Sequence, residues 1–397
     1  MQPLKKLDRE QVAWLDRPGL KKLLQVLNEG DGVARLVGGC VRDSLMGRPI
    51  GDIDVACSLH PEETMGRLER AGIKVIPTGL KHGTITAVSK GEVVEVTALR
   101  QDVETYGRHA DVAFTDDWLE DAKRRDLTVN AFYLDGDGTL YDPCNGWPDI
   151  EKRHVRFIGD ATQRIREDAL RILRFFRFAA QFDEATLDEE GLVACIAERE
   201  LITGLSGERL AQEMRKLLSF SAAERILPVM AETGVLDKVL PDNVGTAAFL
   251  RFVRREKQLG LCSVVARLAT LLPRDEVRSR AMARHLRLSG REITELAALA
   301  LQHPELEGEL TEKDLRRLLY RLGRNVVLFH LVIHGTAEQV SYARHYNIPS
   351  FPLQGRDLLK NGEEPGPELG QKLKKLEQIW EESDYTLGRE DLLDIKE

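Results

Sequence analysis

No stretch of this 397-residue chain approaches the roughly 18 to 20 uninterrupted apolar positions that a membrane-spanning helix needs. The opening run MQPLKKLDREQVAWLDRPGL carries charges throughout and lacks the apolar centre of a secretory signal. Cysteine is sparse: Cys40, Cys57, Cys144, Cys195 and Cys262 are odd in number, widely spaced and without a C-x-x-C pair. That pattern supports neither a disulfide framework nor a zinc site. Only 32 glycines and 15 prolines stand beside 42% hydrophobic residues, which excludes collagen-like and largely disordered chains. There is no internal repeat and no low-complexity tract. A soluble cytoplasmic protein is expected, and the length suggests roughly two to four domains.

The formal net charge of -8 would ordinarily argue against a nucleic-acid partner, yet the charge is segregated. From Arg251 to Arg291 there are eleven Lys or Arg against three acids, a local net of +8. From Leu358 to Glu397 there are six basic against eleven acidic residues, a local net of -5. A basic stretch of this kind can be a solvated helix face or a surface that tracks phosphates.

Up to about residue 145, short β-branched runs (VARLVGG, DIDVAC, IKVIPT, TITAV, EVVEVTA, TLYD) alternate with Gly, Pro and Asp. They predict a sheet of short strands. Leu20, Leu23, Leu24 and Leu27 fall at helical spacing before Gly30. After Pro148 the strand signals nearly vanish. Amphipathic helices are predicted over 161–181, 207–219, 222–232, 247–258, 263–272, 275–287, 291–302, 311–322, 324–332, 336–345 and 367–382, broken at Gly, Pro, Asp or Asn.

The densest chemical signal is LVGGCVRDSLMGRPIGDIDVAC. Gly38 and Gly39 after a strand allow a turn tight enough for backbone amides to approach a phosphate, and Arg42 and Asp43 follow. In GDIDV, strand alternation puts Asp52 and Asp54 on one side and Ile53 and Val55 toward the core. A lone D-x-D is more often a solvated polar face. Beside a Gly-Gly turn, two adjacent carboxylates ask for a compensating hard cation, most simply Mg²⁺. Glu95 is the only acid inside the run VVEVTALR, and it supplies a third carboxylate if its strand neighbours the first.

Two further segments add recognition chemistry, the first of which would in an unrelated protein be an ordinary helix N-terminus with a charged first turn. In RRDLTVNAF, Arg125 offers a phosphate-matching fork, while Asp126 and Asn130 can hydrogen-bond a ribose 2′-hydroxyl. In RIREDALRILRFFRFAA, Ile165, Ala169, Ile172, Phe176 and Ala179 form an apolar stripe. Asp168, Arg171 and Arg174 lie opposite at i, i+3 and i+6. An Asp that accepts from an exocyclic amine and an Arg that donates to a ring nitrogen or carbonyl would match cytosine or adenine and reject uracil and guanine. In an unrelated protein the same spacing is most simply a surface salt bridge. Arg177 is placed to reach phosphate rather than base.

Taken in order, GGCVRDSLMG, GDIDVA, TGLKHGT, EVTALR, RRDLTVNAF and REDALRILRFFRFAAQF, with LSGERLAQEMRKLL as the last, resemble the motifs of the bacterial class II CCA-adding tRNA nucleotidyltransferases and related poly(A) polymerases of the DNA polymerase β superfamily. The resemblance covers residues 35 to about 220. Beyond it lie a helical texture and a tail, PLQGRDLLKNGEEPGPELG, of the kind found in alphaproteobacterial members. It implies an α+β fold: a polymerase β-like nucleotidyltransferase sheet domain (1–145), then an all-helical neck for base selection (146–220), body for tRNA binding (221–335) and tail (336–397). It further implies that Asp52 and Asp54 bind two Mg²⁺ ions, with Glu95 as the third catalytic carboxylate. The tRNA 3′-hydroxyl would attack the α-phosphate of CTP or ATP, and pyrophosphate would leave. Gly38, Gly39, Arg42, Arg125, Asp126, Asn130, Asp168, Arg171, Arg174 and Arg177 would bind the nucleotide.

The chain departs from the family in three places. Leu127 and Val129 stand where Phe and Ile are usual, both apolar exchanges. Tyr106-Gly107-Arg108 replaces an Asp-Gly-Arg run in a loop associated with the switch from C to A, which bears on the A-adding step. Alternatives are a poly(A) polymerase, a CC-only or A-only enzyme, or an RNA-binding protein without catalysis. No Gly-Arg-Arg-Phe type run of the poly(A) polymerases is present, and no His-Asp dipeptide indicates an appended phosphohydrolase. His330, His334 and His345 are expected to be ordinary helix residues. Within the basic stretch, Arg284 and Arg287 are expected to contact the acceptor and TΨC arm through its backbone, by shape rather than sequence.

Overall fold

The computed structural model describes the chain except Gly107, Arg108, Asp183, Lys396 and Glu397, with backbone only for 102–112. It forms two compact units, residues 1–241 and 242–397.

In the first unit the strands are β1 (Lys5–Lys6), β2 (Ala34–Val37), β3 (Ile53–Cys57), β4 (Lys74–Gly79), β5 (Thr84–Ser89), β6 (Glu92–Ala98), β7 (Arg100–Tyr106), β8 (His109–Phe114), β9 (Tyr133–Leu134) and β10 (Thr139–Tyr141), with a short parallel pair β11 (His154–Val155) and β12 (Thr186–Leu187) beyond them. Eight of them make one mixed sheet in the order β1-β10-β9-β2-β3-β6-β5-β4. β2 runs antiparallel to β3, and β3 runs parallel to β6. A parallel neighbour requires a crossover. Here α3 (Pro61–Arg70) and the β4–β5 hairpin provide it. α1 (Pro18–Leu27) packs against α3 and β5. It buries the expected face, Leu20, Leu23, Leu24 and Leu27. Val55, Val94 and Val96 are almost fully buried, whereas Glu95 is exposed and Asp54 half-buried. Period-two alternation has thus sorted acids from core.

All six strand runs foreseen in the sequence are present. β1, β9, β11 and β12, of two residues each, were not foreseen. Within the segment that the resemblance reads as a loop, the backbone pairs as the antiparallel ribbon β7–β8. The Tyr106-Gly107-Arg108 departure lies outside the described residues.

Helices follow: α2 (Gly39–Leu45), α4 (Trp118–Lys123), α5 (Trp147–Lys152), α6 (Ala161–Glu167), α7 (Leu170–Gln181), α8 (Glu189–Ala197), α9 (Gly207–Ser219), α10 (Ala223–Glu232) and α11 (Val235–Val239). The single helix expected over 161–181 is two. Asp168 takes an extended conformation (φ -152°, ψ 105°) between α6 and α7, and its side chain accepts from the Leu170 amide. Asp is a residue that caps rather than continues a helix, because its carboxylate competes for nearby amides.

The second unit is all-helical: α12 (Ala247–Gln258), α13 (Val264–Ala269), α14 (Glu276–His285), α15 (Gly290–Ala300), α16 (Glu312–Leu322), α17 (Arg324–His334), α18 (Ala337–His345), α19 (Gly355–Lys360), α20 (Pro367–Glu382) and α21 (Arg389–Leu393). One core joins Phe252, Leu299, Leu319 and Phe329, and a second gathers Leu353, Leu358, Leu376, Trp380 and Leu392. Among the described residues no helix is long and apolar enough to cross a membrane.

Candidate active site

The site begins where β2 ends. Gly38 has φ +74°, and a Cβ there would sit 3.7 Å from Asp54 Oδ2 and 3.9 Å from Arg125 Nη1. A side chain would be strained by the backbone, and its Cβ would lie in van der Waals contact with both groups. From α2, Arg42 reaches across to donate to Asn130 Oδ1 at 2.7 Å, and it grips Asp43 through Nε and Nη2.

The three carboxylates lie on two adjoining strands. Asp54 and Glu95 are register partners across the parallel β3–β6 pair, and Asp52 precedes β3 on the same alternation. Burial first, then the charges of Glu95 and Asp52, push the Asp54 carboxyl up to about 6, with Arg125 opposing. None of the three has an ion-pair partner among the described residues. Nor do any three His, Cys, Asp or Glu side chains there converge on one point able to hold a metal. The carboxylates are neighbours in the sheet rather than a closed cage. As a donor set they fit a hard divalent cation: all oxygen, mutually repulsive and lacking any paired cationic side chain.

Arg125 is fixed by a buried anchor absent from the sequence expectations. Asp121, on α4, is fully buried and accepts from Arg124 (2.6 Å), Arg125 (3.1 Å) and the Tyr133 hydroxyl (2.6 Å). Burial alone would raise its pKa, but Arg125 and Arg124 outweigh it and bring the group down to about 2. After Arg125 the chain makes one tight turn, Thr128–Asn130, instead of the helix start that was one reading of this run. Gly146 packs so closely on this turn that a Cβ would lie 2.7 Å from Thr128 O. Asp126 pairs with Arg174 at 2.6 Å and accepts from Asn130 Nδ2 at 3.1 Å. Although burial raises it, these partners hold its carboxyl far below the usual range.

The residues expected to select the base occupy the break and the start of α7. Asp168 is gripped through both oxygens by Arg209 Nη2, at 3.0 and 2.7 Å. Arg171 donates to Glu167 (2.5 Å) and to the Arg164 and Arg124 carbonyls. Asp168 and Arg171 are therefore each held by another partner and do not share one continuous helix face. Arg177 makes a buried ion pair with Glu213 at 2.5 Å and lies 3.9 Å from the Phe178 ring centroid.

These side chains meet in one cleft of ≈ 570 Å³. It is lined by Gly38, Gly39, Arg42, Asp52, Asp54, Arg125, Asp126, Asn130, Asp168, Arg171, Arg174 and Arg177. Glu95 is the one proposed catalytic or nucleotide-binding residue outside that lining; it adjoins Asp54 through the sheet. Asp43, Gly51, Phe178 and Lys216 line the cleft without having been foreseen as site residues. A signal for Lys216 existed. Arg209, Glu213 and Lys216 recur at i, i+4 and i+7 along α9, opposite buried Leu210, Met214 and Leu217. Arg284 and Arg287 belong to the second unit, at and just beyond the end of α14, and both are exposed. Part of the basic stretch is internally neutralised: Arg267 is buried on Glu256, and Arg278 and Arg280 pair with Asp242 and Glu276.

The chain is similar along most of its length to known proteins. The Poly A polymerase head domain family matches residues 34–156, and the family described as the probable RNA and SrmB-binding site of polymerase A matches 186–243. The mitochondrial CCA tRNA nucleotidyltransferase 1 of Danio rerio is 34% identical over 386 residues, 94% of this chain and 89% of that protein. The CCA-adding enzyme of Geobacillus stearothermophilus is 41% identical over 243 residues, 61% of this chain and 56% of that one. The crystal structure of the Bacillus stearothermophilus CCA-adding enzyme in complex with CTP superimposes with a TM-score of 0.76 at 30% identity, covering 93% of this chain and 94% of that one.

Proposed function

The chain belongs to the CCA tRNA nucleotidyltransferase family, and on that premise we propose that it adds or repairs the 3′-terminal CCA of tRNA from CTP and ATP, releasing pyrophosphate. It is a nucleotidyltransferase acting on an RNA 3′ end. The observation that carries the reading is the single cleft that brings the Gly38 turn, the Asp52–Asp54 pair, the Arg125–Asn130 turn and the Asp168–Arg177 segment together.

The roles assigned to the residues follow from their chemistry. Gly38 lets backbone approach the triphosphate, and Arg42 and Arg125 supply planar guanidinium forks to its oxygens. Asn130 retains one amide hydrogen and Asp126 its remaining lone pairs after their mutual bond, enough to bind a ribose 2′-hydroxyl. Asp168 keeps acceptor capacity beyond Arg209 and takes the exocyclic amine of cytosine or adenine. Arg171 exchanges a bond to Glu167 for the ring nitrogen. Arg174 and Arg177 hold the flanks of the pocket. Asp52 and Asp54, with Glu95 beside them, would hold two Mg²⁺ ions, which when bound lower the pKa of the attacking hydroxyl and neutralise charge at the α-phosphate.

Residues 1–145 are assigned to chemistry, 146–220 to base selection, 221–335 to tRNA binding through contacts such as Arg284 and Arg287, and 336–397 to a tail. The cytoplasm is the proposed compartment, to be checked by fractionation. Incubation with tRNA lacking CCA, Mg²⁺ and labelled CTP and ATP should add three nucleotides. A long adenylate tail would assign a poly(A) polymerase instead. Addition of C alone or A alone would narrow the activity, and no incorporation would overturn it.

A further inference from the structure

The largest cavity described in the second unit has no part in the chemistry above. It measures ≈ 750 Å³ and is walled by Phe252, Leu272, Leu299, Phe329 and Val332. All five are at most 3% exposed, and four of them belong to the core cluster of that unit, so the cavity is built into the packing rather than opened by a loop. Its volume is that of a small-molecule pocket, far beyond what a single water needs.

The charged groups at this cavity are of one sign. Arg251, Arg255 and Arg274 line it, His334 joins them, and no acid does. None of the three guanidiniums has a carboxylate within salt-bridge distance among the described residues; Arg255 donates to the Gly335 carbonyl, and Arg274 lies 5.6 Å from the Phe329 ring centroid. Arg251 and Arg255, four residues apart on α12, repel one another. The nearby Arg267, by contrast, is neutralised by Glu256. Burial first, then the charges of Arg274, His303 and His334, lower the neighbouring His330 to about 4, with Glu305 opposing.

An apolar cavity bordered by unpaired guanidiniums matches an anion with an apolar body. A nucleobase matches less well. The neutral polar side chain in the lining is Thr270, whose hydroxyl already donates to the Arg267 carbonyl, so little remains to pair with base edges. We propose that this cavity is a binding site for a small amphipathic anion, a carboxylate or phosphate on an aliphatic or aromatic body, separate from the nucleotide cleft.

Isothermal titration of the full chain with decanoate, below its micellar range, tests this directly. Saturable one-to-one binding is expected. Decanol and decyltrimethylammonium should bind at least tenfold more weakly, and inorganic phosphate should show no saturable binding. The double variant R251Q/R274Q should weaken decanoate at least tenfold, and Ala248→Trp, which fills the cavity from its half-buried rim, should abolish binding, both with unchanged circular dichroism. The comparison of head groups needs no variant, so it decides the matter even where a variant fails to fold. No saturable decanoate binding, or equal binding of decanol, overturns the proposal. If decanoate does not bind while R251Q/R274Q weakens tRNA binding, these arginines belong to RNA phosphates and the small-molecule site is refuted.

Discussion

Replacing Asp54 by Asn should stabilise the protein above neutral pH while destroying its activity. Asp54 is raised from its ordinary 3.8 to about 6 by burial and by Glu95 and Asp52. For an acid raised in the folded state, the charged form is the disfavoured one. The penalty is absent below about pH 3, where both folded and unfolded chains are protonated. It grows as pH rises through the gap between the two pKa values and is complete above pH 6. At ~1.4 kcal/mol for each tenfold change in proton affinity, the gap amounts to ~3 kcal/mol of folding free energy at pH 8. Asn removes the titration and keeps the shape. Urea unfolding of both proteins in EDTA, at pH 4 and pH 8, reads the difference. The stability gain of Asp54→Asn should be ~2.5 kcal/mol larger at pH 8 than at pH 4. Millimolar Mg²⁺ should narrow that difference by stabilising the native protein more than the variant. A gain that is equal at the two pH values, within ~1 kcal/mol, would refute the burial of Asp54 beside two other carboxylates on which the reasoning rests.

Other parts of the site make separate predictions. Glu213→Ala leaves Arg177 buried and unpaired and should cost ~3–5 kcal/mol in denaturant unfolding; a loss below ~1 kcal/mol would show the pair is not buried as described. Arg209→Ala releases the grip on Asp168, and the ratio of kcat/KM for CTP over UTP should fall by roughly tenfold or more, within the ~1–3 kcal/mol that a bidentate base contact contributes. Lys216, exposed at the cleft with no carboxylate partner among the described residues, should act mainly on binding. Its replacement by Ala should raise KM for CTP several-fold with little change in kcat, and the reverse pattern would contradict that role. Charge reversal at Arg284 and Arg287 should weaken tRNA binding and lower the slope of log affinity against log salt by about one to two. An unchanged slope would remove these residues from the RNA surface.

The strands that carry the carboxylates could be read from the sequence because alternation has a period of two and both runs are rich in β-branched residues. Their parallel pairing, which makes Asp54 and Glu95 neighbours, is a long-range contact that no local pattern encodes. Most helices after residue 200 were also legible from their apolar stripes. The break at Asp168 was not, because the stripe from Ile165 through Ala179 runs on across it; the competition of a carboxylate for nearby amides decided the local conformation. Asp121 escaped notice for a different reason. In DDWLEDAK it resembles every other acid of a solvated helix, and only the fold brings Arg124, Arg125 and Tyr133 around it. The pairing of Asp168 with Arg209 and of Arg177 with Glu213 likewise depends on α9 lying against α7.

The break between α6 and α7 has a consequence for how such a pocket can change over time. A side chain in mid-helix is aimed by the helix itself, and redirecting it means disturbing the core beneath. Asp168 stands at a joint, and its aim is set by Arg209 from a different helix. Under the proposed role of Asp168, substitution of Arg209 would retune what the pocket accepts while the apolar stripe of α7 stays intact. Glu213, one turn further along the same α9, is by contrast tied to the fold through Arg177, so within this one helix a position that would set selectivity lies beside one that holds the structure together.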